Sequence, residues 1–111
     1  MDLFVYGTLQ DEALVDRLTG HRFRRLPAVL SGYRRIELAG FYPWIEPAAD
    51  GSVDGLILEE IDTDSLARFD EYECVGTLYE RIEVSVSAGA RLRTCQTYCG
   101  RPDALLRCPR E

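Results

Sequence analysis

The sequence predicts an α+β fold, in which a small mixed sheet curls toward a barrel and short helices flank it. Two observations carry this prediction. Extended segments alternate with only two short amphipathic helices, and the apolar residues follow strand or helix periodicity along the chain. The chain has 111 residues, 46% of them hydrophobic and 29% charged, which is typical of a globular protein with an ordinary core. We therefore expect a single domain over residues 1–111.

The first part of the chain predicts a strand followed by a helix. Residues 2–6 are a short, mostly apolar run that Gly7 ends, which is typical of a buried strand. Residues 11–18 place three apolar side chains on one helical face, with acids in the first turn and Gly20 beyond the end. These signals together predict a short amphipathic helix directly after the first strand.

The middle of the chain predicts a hairpin. Residues 27–38 have an extended pattern that bends at Gly32. The dipeptide Asp50-Gly51 is typical of tight hairpin turns, and it separates the apolar residues 44–45 from the strand pattern at 53–58. We therefore expect a turn at Asp50-Gly51.

The second half predicts one helix and two strands. Residues 62–73 form an amphipathic pattern that Asp62 or Thr63 can cap. Residues 79–86 and 92–98 follow as strands, and the alternation of apolar and polar residues in the first of them predicts one buried and one wetter face.

The charge pattern argues against some function classes. The net charge is −6, whereas a nucleic-acid binder needs a basic face. No segment predicts a secretory signal or a membrane span, so we expect a cytoplasmic protein with reduced cysteines. Five arginines form a local basic cluster, which we interpret as a solvated face and not as an anion site: Arg22, Arg24, Arg25, Arg34 and Arg35.

Metal and thiol chemistry have little support in the sequence. His21 is the only histidine, and we expect it at the surface. The chain has no Cys-x-x-Cys pair, so a zinc site is not expected. A cysteine hydrolase would need a thiolate beside a base, and no such pair is indicated.

Three carboxylates stand where the second predicted helix ends. That end carries the negative pole of the helix dipole, and each exposed acid there costs about 0.3–1 kcal/mol. Residues that are unfavourable for the local structure, without evident compensation, tend to mark functional sites. The alternative interpretation is that these acids lie in water and pair with Arg68 or Arg81. Glu73 follows Phe69 by four residues and shares its face, so it is the acid directed toward the apolar side. The three acids are Asp70, Glu71 and Glu73.

The segment Tyr6-Gly7-Thr8-Leu9 ends the first predicted strand just before a helix. Such a turn presents successive backbone N–H groups that need acceptors. These groups can bind a carboxylate or an oxyanion that forms at a reacting carbonyl, and Gly7 allows close approach of a ligand. A plain strand-to-helix turn is the alternative interpretation.

These segments occur in an order that resembles the gamma-glutamylcyclotransferase-like family, especially its small gamma-glutamylamine cyclotransferase-type members. The resemblance extends from Tyr6 to Tyr98, and the order and spacing of the motifs are more specific than any one of them. The motifs are Tyr6-Gly7-Thr8-Leu9, Tyr42-Pro43, Val53-Asp54-Gly55, Phe69-Asp70-Glu71-Tyr72-Glu73 and Tyr79-Glu80-Arg81.

The resemblance implies a small mixed α/β structure with a short barrel and flanking helices. It also implies an enzyme that cleaves a gamma-glutamyl amine or gamma-glutamyl amino acid. The substrate's own amine attacks the γ-carbonyl and 5-oxoproline is released, so neither a metal nor a cofactor is required. The family's catalytic glutamate falls on Glu73, as general acid and base, and its substrate loop falls on Tyr6, Gly7, Thr8 and Leu9.

Four further residues receive pocket or bracing roles from the resemblance: Tyr42, Tyr79, Arg81 and Tyr98. Tyr79 and Arg81 either orient the substrate carboxylate or brace the loop of Glu73, and we favour bracing. Tyr98 either lines the pocket or only packs. The wall that selects the leaving amine is expected from residues 41–44 and the tail.

The sequence departs from the family pattern beside the glutamate. Cys74 replaces a glycine that commonly follows it, so we expect the backbone there to differ unless Gly76 restores the turn. Asp70 and Glu71 are expected to be ordinary surface charges. A module that binds a small metabolite or a partner without turnover is the alternative function, and the oligomeric state is not predicted.

Overall fold

The computed structural model describes residues 1–108, and its five strands close into one barrel. The order around the barrel is β1-β3-β2-β4-β5, and β5 pairs back onto β1. That last pair is parallel, whereas the other neighbours are antiparallel. The strands are β1 (Leu3–Val5), β2 (Arg25–Ile36), β3 (Trp44–Leu58), β4 (Tyr79–Ala88) and β5 (Arg91–Gly100). The predicted α+β fold with a curled sheet is confirmed.

Three short helices flank the barrel, and their ends follow the sequence signals. They are α1 (Glu12–Thr19), α2 (Thr63–Tyr72) and α3 (Pro102–Leu105), and a 3-10 turn at Thr8–Gln10 precedes α1. Asp62 caps α2, because its side chain accepts a hydrogen bond from the backbone N–H of Ser65 at 3.0 Å. Gly20 ends α1 in the left-handed conformation, with φ 72°. The two predicted helices are confirmed to within two residues.

The core has two parts because β1 is buried on both faces. Phe4 lies in one cluster with side chains of the other strands, such as Leu30 and Ile57. Leu3 and Val5, on the opposite face of β1, lie in a second cluster that includes Phe69 of α2 and Leu105 of α3. Both faces of β1 are therefore covered, and the chain that continues from it is held firmly where the site begins.

The prediction of a turn at Asp50-Gly51 is wrong. β3 continues through this dipeptide, and the connection between β2 and β3 lies at residues 37–43. Between the pairs Ser31–Ser52 and Tyr33–Pro47, four residues of β3 stand opposite Gly32 alone. A Cβ at Gly51 would lie 2.4 Å from the Tyr33 carbonyl oxygen, so glycine is needed here for close approach of two backbones. A wide bulge and a hairpin turn require the same residue types, and the local pattern does not separate them.

The tail returns to the barrel through α3. Gly100 packs so closely that a Cβ there would lie 2.4 Å from Cβ of Trp44. Leu105 is fully buried in the core, which gives a structural role to the apolar patch near the C-terminus. None of the helices in the described part of the chain is both long enough and apolar enough to span a membrane.

Candidate active site

A cavity of about 290 Å³ lies between the end of β1, the end of α2 and the connection that precedes β3. We call it the main cavity. The lining includes eight of the nine residues that the sequence singled out, and Arg81 is the exception. Those eight are Tyr6, Gly7, Thr8, Leu9, Tyr42, Glu73, Tyr79 and Tyr98. The two segments that sequence reasoning paired, some 65 positions apart, therefore meet at one site.

The loop after β1, whose residues 7–9 line the cavity, forms a 3-10 turn at Thr8–Gln10. Gln10 N–H donates to the Gly7 carbonyl at 3.1 Å, and Asp11 N–H donates to the Thr8 carbonyl at 3.0 Å. These bonds use carbonyl oxygens of the turn. The N–H groups of Thr8 and Leu9 stand at its start, where a helix offers no acceptor of its own. They are the candidate donors of this loop, and their binding role stays a prediction.

Gly7 borders open space and not packed protein. A Cβ built at this position would meet one neighbour within 4 Å, Cγ of Pro43 at 3.9 Å, which is an ordinary contact. Packing within the protein therefore does not require glycine at position 7. The free space above its backbone belongs to the cavity, and this favours the interpretation of Gly7 as a site of close ligand approach.

Glu73 is placed by the way in which α2 ends. Cys74 N–H donates to the Glu71 carbonyl at 3.1 Å, and Val75 N–H donates to the Asp70 carbonyl at 3.0 Å. This pair of bonds is a Schellman motif, and it requires a left-handed residue at Cys74. Cys74 has φ 52°, so a cysteine holds the conformation that glycine usually supplies. The expectation of a different backbone at Cys74 is therefore wrong, although Gly76 is also left-handed, with φ 92°.

The carboxyl group of Glu73 is half-buried, and no residue from 1 to 108 compensates its charge. It makes neither a hydrogen bond nor an ion pair with any residue that the structure describes. Burial alone raises its pKa from 4.5 to about 7, because the charged form loses hydration and gains nothing in return. A carboxyl group with this pKa exchanges protons readily near neutral pH.

Three tyrosines around Glu73 supply a wall that stays neutral. Tyr6 donates from its hydroxyl to the Tyr98 carbonyl at 2.6 Å, and Tyr79 donates to the Pro43 carbonyl at 2.6 Å. Burial raises the pKa of Tyr6, Tyr79 and Tyr98 far above neutrality, so these phenols remain protonated. Because each hydroxyl is anchored to a fixed acceptor, the wall is rigid and leaves Glu73 as the ionisable group among them.

Asp70 is not an ordinary surface charge, and the sequence interpretation of it is wrong. Its Oδ1 accepts a hydrogen bond from the Tyr98 hydroxyl at 2.7 Å, and its Oδ2 lies 3.2 Å from Nη1 of Arg81. The side chains of Asp70 and Arg81 are 26% and 27% exposed, which shields the pair from solvent on most sides. This triad ties α2 to β4 and β5 behind the cavity. Such contacts agree with the bracing role favoured for Arg81.

Two contacts that sequence reasoning missed complete the site. Oγ1 of Thr8 lies 2.9 Å from the Tyr72 hydroxyl, which joins the loop to the last turn of α2. Arg35 donates from Nη1 to the Tyr6 carbonyl at 2.7 Å, so it was wrong to assign it to a merely solvated face. Tyr72 stood within a quoted motif, and that position was the available signal. Nothing in the local pattern separated Arg35 from Arg34 beside it.

The part of the chain described by the structure contains no group of three or more His, Cys, Asp or Glu side chains able to hold a metal ion. Cys74 and Cys108 line the cavity, and all four cysteines are free thiols. The expected walls of the cavity are partly present. Cys108 of the tail lines it, and so do Tyr42 and Pro43 of the connection before β3. Trp44 is instead buried in the core.

Comparison with known proteins agrees with this geometry. The model of the family "Gamma-glutamyl cyclotransferase, AIG2-like" matches residues 3–110. The chain belongs to this family. AIG2-like protein C from Arabidopsis thaliana is 38% identical over 98 residues, which are 87% of this chain and 57% of that protein. AIG2-like protein A from the same organism is 34% identical, over 77% of this chain and 51% of its own length. The chain therefore spans little more than half the length of these curated relatives.

Solved structures share the fold of this member of the gamma-glutamyl cyclotransferase, AIG2-like family. A solution structure of an Arabidopsis thaliana protein has a TM-score of 0.81 and 30% identity, and the match covers 93% of this chain and 72% of that chain. A structure titled gamma-glutamyl cyclotransferase has a TM-score of 0.75 over 94% of this chain and 73% of its own. Its identity is 18%, so it supports the fold alone. The family resemblance and the fold expected from the sequence are both confirmed.

Proposed function

We propose that this protein is a gamma-glutamyl cyclotransferase that releases 5-oxoproline from a gamma-glutamyl amine or gamma-glutamyl amino acid. The observation that carries the proposal is the position of Glu73. An unpaired carboxyl group with a raised pKa faces the same cavity as a loop of backbone donors. Membership of the gamma-glutamyl cyclotransferase, AIG2-like family supports the reaction class.

Glu73 would activate the substrate's own α-amine. A free α-amine has a pKa of about 8, so it is mostly protonated at neutral pH and cannot attack. The pKa of Glu73, about 7, lies close to that of the ammonium group. Transfer of the proton from one to the other is therefore nearly balanced in energy, which is the condition for efficient general-base catalysis.

The loop would stabilise the charge that forms on the γ-carbonyl oxygen. Attack of the amine nitrogen on the γ-carbon makes the new C–N bond and leaves negative charge on that oxygen. The N–H groups of Thr8 and Leu9 are fixed donors at the cavity, and such preorganised donors strengthen their bonds as the charge develops. The apolar surroundings of the site reduce competition from water.

Collapse of this intermediate completes the reaction. The bond between the γ-carbon and the original amide nitrogen breaks as Glu73 gives its proton to the leaving nitrogen. The ring nitrogen still carries one proton more than a lactam, and Glu73 takes that proton and releases it to solvent, which restores its ionised form. The products are 5-oxoproline and a free amine, and the substrate supplies both the nucleophile and the leaving group. Ring closure within one molecule itself provides much of the rate, because no second reactant must be positioned.

Release of 5-oxoproline from a panel of gamma-glutamyl amines and gamma-glutamyl dipeptides tests the proposal. The purified chain should convert at least one class of substrate, and Glu73→Gln should not. Binding of these compounds by the unmodified protein without release of 5-oxoproline would contradict the enzyme assignment. It would instead support a module that binds a small metabolite without turnover.

A further inference from the structure

A second depression adjoins the main cavity on the outer side of the loop. We call it the trough. Its volume is about 490 Å³, and Gly7, Thr8 and Pro43 line both spaces, so the two lie on either side of these residues. The rest of the trough comes from the end of β2 and the connection to β3, namely Arg35, Glu37, Leu38, Ala39, Gly40 and Phe41.

The trough and the main cavity differ in charge. The ionisable group of the main cavity that titrates near neutral pH is Glu73, and no arginine of the described residues 1–108 lines that cavity. Among the residues that the structure describes, the trough holds one cation, Arg35, and one anion, Glu37, and their side chains form an ion pair. A substrate that extends from the main cavity past Gly7 therefore enters a space that a guanidinium group lines.

Arg35 is fixed, whereas Glu37 is not. Nη1 of Arg35 donates to the Tyr6 carbonyl at 2.7 Å, and the side chain is 34% exposed. The Glu37 side chain is 66% exposed, and Arg35 is its only ion-pair partner among the residues that the structure describes. Ion pairs of this exposed kind contribute little to stability. A substrate carboxylate that enters the trough can therefore displace Glu37 from Arg35 at a small cost in free energy. The guanidinium group of Arg35 has further N–H donors that can bind this carboxylate.

The orientation of the substrate follows if the proposed function holds. Its α-amine must reach Glu73, so the glutamyl half occupies the main cavity, and the γ-carbonyl lies at the loop that separates the two spaces. The leaving half then extends into the trough. We propose that the trough is the subsite for the leaving amine, and that Arg35 selects leaving amines that carry a carboxylate.

Two substrates of the same shape separate this role from any other role of Arg35. Gamma-glutamyl-alanine has a carboxylate on the leaving half, and gamma-glutamyl-alaninamide has a neutral amide in its place. The readout is the ratio of kcat/KM for the acid to kcat/KM for the amide. Arg35→Gln should lower this ratio about tenfold, since a charge-assisted hydrogen bond is lost for the acid only. Glu37→Gln should raise it a few-fold, because the competing carboxylate is removed.

Arg34→Gln is the matched control. Arg34 is adjacent in sequence, pairs with Glu46 and does not line the trough, so its loss should leave the ratio unchanged. If Arg35 instead bound the glutamyl carboxylate or only supported the loop, Arg35→Gln would lower both rates equally. If Arg35→Gln fails to fold, the test rests on Glu37→Gln alone. An acid-to-amide ratio of kcat/KM that does not rise in Glu37→Gln would then overturn the inference. If the unmodified protein releases 5-oxoproline from another compound of the panel but from neither of these two, the inference is overturned and the proposed function stands. Absence of 5-oxoproline from every compound of the panel would overturn the proposed function itself.

Discussion

The hydroxyl groups of Thr8 and Tyr72 lie 2.9 Å apart, although the residues are 64 positions apart in the chain. Thr8 belongs to the loop that offers backbone donors, and Tyr72 directly precedes Glu73 in the last turn of α2. Both residues line the main cavity. This contact therefore links the loop of the proposed oxyanion donors to the helical turn that precedes the proposed general base.

Removal of the contact should lower activity without unfolding the protein. Thr8→Val and Tyr72→Phe each delete one hydroxyl and preserve the shape of the wall. Each should reduce kcat/KM for 5-oxoproline release by about two- to tenfold, since a net hydrogen bond contributes about 0.5–1.5 kcal/mol. The double variant should be no worse than the worse single variant, because both changes remove the same bond. Fully additive losses would show that the two hydroxyls act independently.

Gly7→Ala should separate ligand binding from folding. The new Cβ has only an ordinary contact with Pro43, at 3.9 Å, so the melting temperature should hardly change. The methyl group enters the space proposed for the substrate, and KM should rise about tenfold or more, with a larger effect for Gly7→Val. Gly55→Ala is the contrasting control, because its Cβ would lie 2.4 Å from the Val5 carbonyl oxygen and should destabilise the barrel. Unaltered KM in Gly7→Ala would make the loop purely structural.

Asp70→Asn should destabilise the fold behind the cavity. The asparagine side chain loses the charge that holds both Tyr98 and Arg81. Hydrogen bonds to charged groups contribute about 1.5–3 kcal/mol, so the melting temperature should fall by about 4 °C or more in thermal unfolding. Glu71→Gln is the matched control on the same turn. Glu71 is exposed, and its loss should change the free energy of unfolding by no more than about 0.5 kcal/mol. Equal effects of the two substitutions would remove the bracing role of Asp70.

Stability should depend on pH through Glu73. Its pKa is about 7 in the folded protein, against 4.5 for an unperturbed glutamate. Between these values the folded state keeps a proton that the unfolded state has lost, so this group's contribution to stability falls as pH rises from about 4.5 to about 7. The Glu73→Gln variant has no ionisable group at this position, so its stability does not fall for this reason as pH rises. The melting temperature of the variant relative to the unmodified protein should therefore rise across this window and level off above pH 7. A difference that is constant with pH would place Glu73 in water.

The sequence predicted helices and strands correctly where the local sequence pattern and the packing of the folded protein favour the same structure. Both major helices begin and end within two residues of the predicted bounds, and the spacing of Glu73 from Phe69 singled it out among the three acids. The turn at Asp50-Gly51 failed because a bulge in a long hairpin makes the same demand on the backbone. Glycine is required at position 51 because the backbone of Tyr33 on β2 approaches it closely. Tyr33 is distant in sequence, so the local pattern around Asp50-Gly51 does not show this contact.

The site was harder to predict than the fold, for a physical reason. Backbone donors and a buried acid leave a trace in the local sequence, as a glycine turn and as a charge at the wrong end of a helix. Contacts between residues that are far apart in the chain leave no such trace in the local sequence. The bond from Thr8 to Tyr72, the pairing of Asp70 with Tyr98 and the contact of Arg35 with Tyr6 exist only once the barrel closes.

The most direct test of the account is the rate of 5-oxoproline formation by Glu73→Gln, relative to the unmodified protein, with the most active substrate of the panel. Glutamine keeps the size of the side chain and removes its ability to take a proton. If Glu73 is the general base, kcat/KM should fall about 100-fold or more while the melting temperature at pH 8 does not decrease. Activity of the folded variant at the level of the unmodified protein would contradict the central claim.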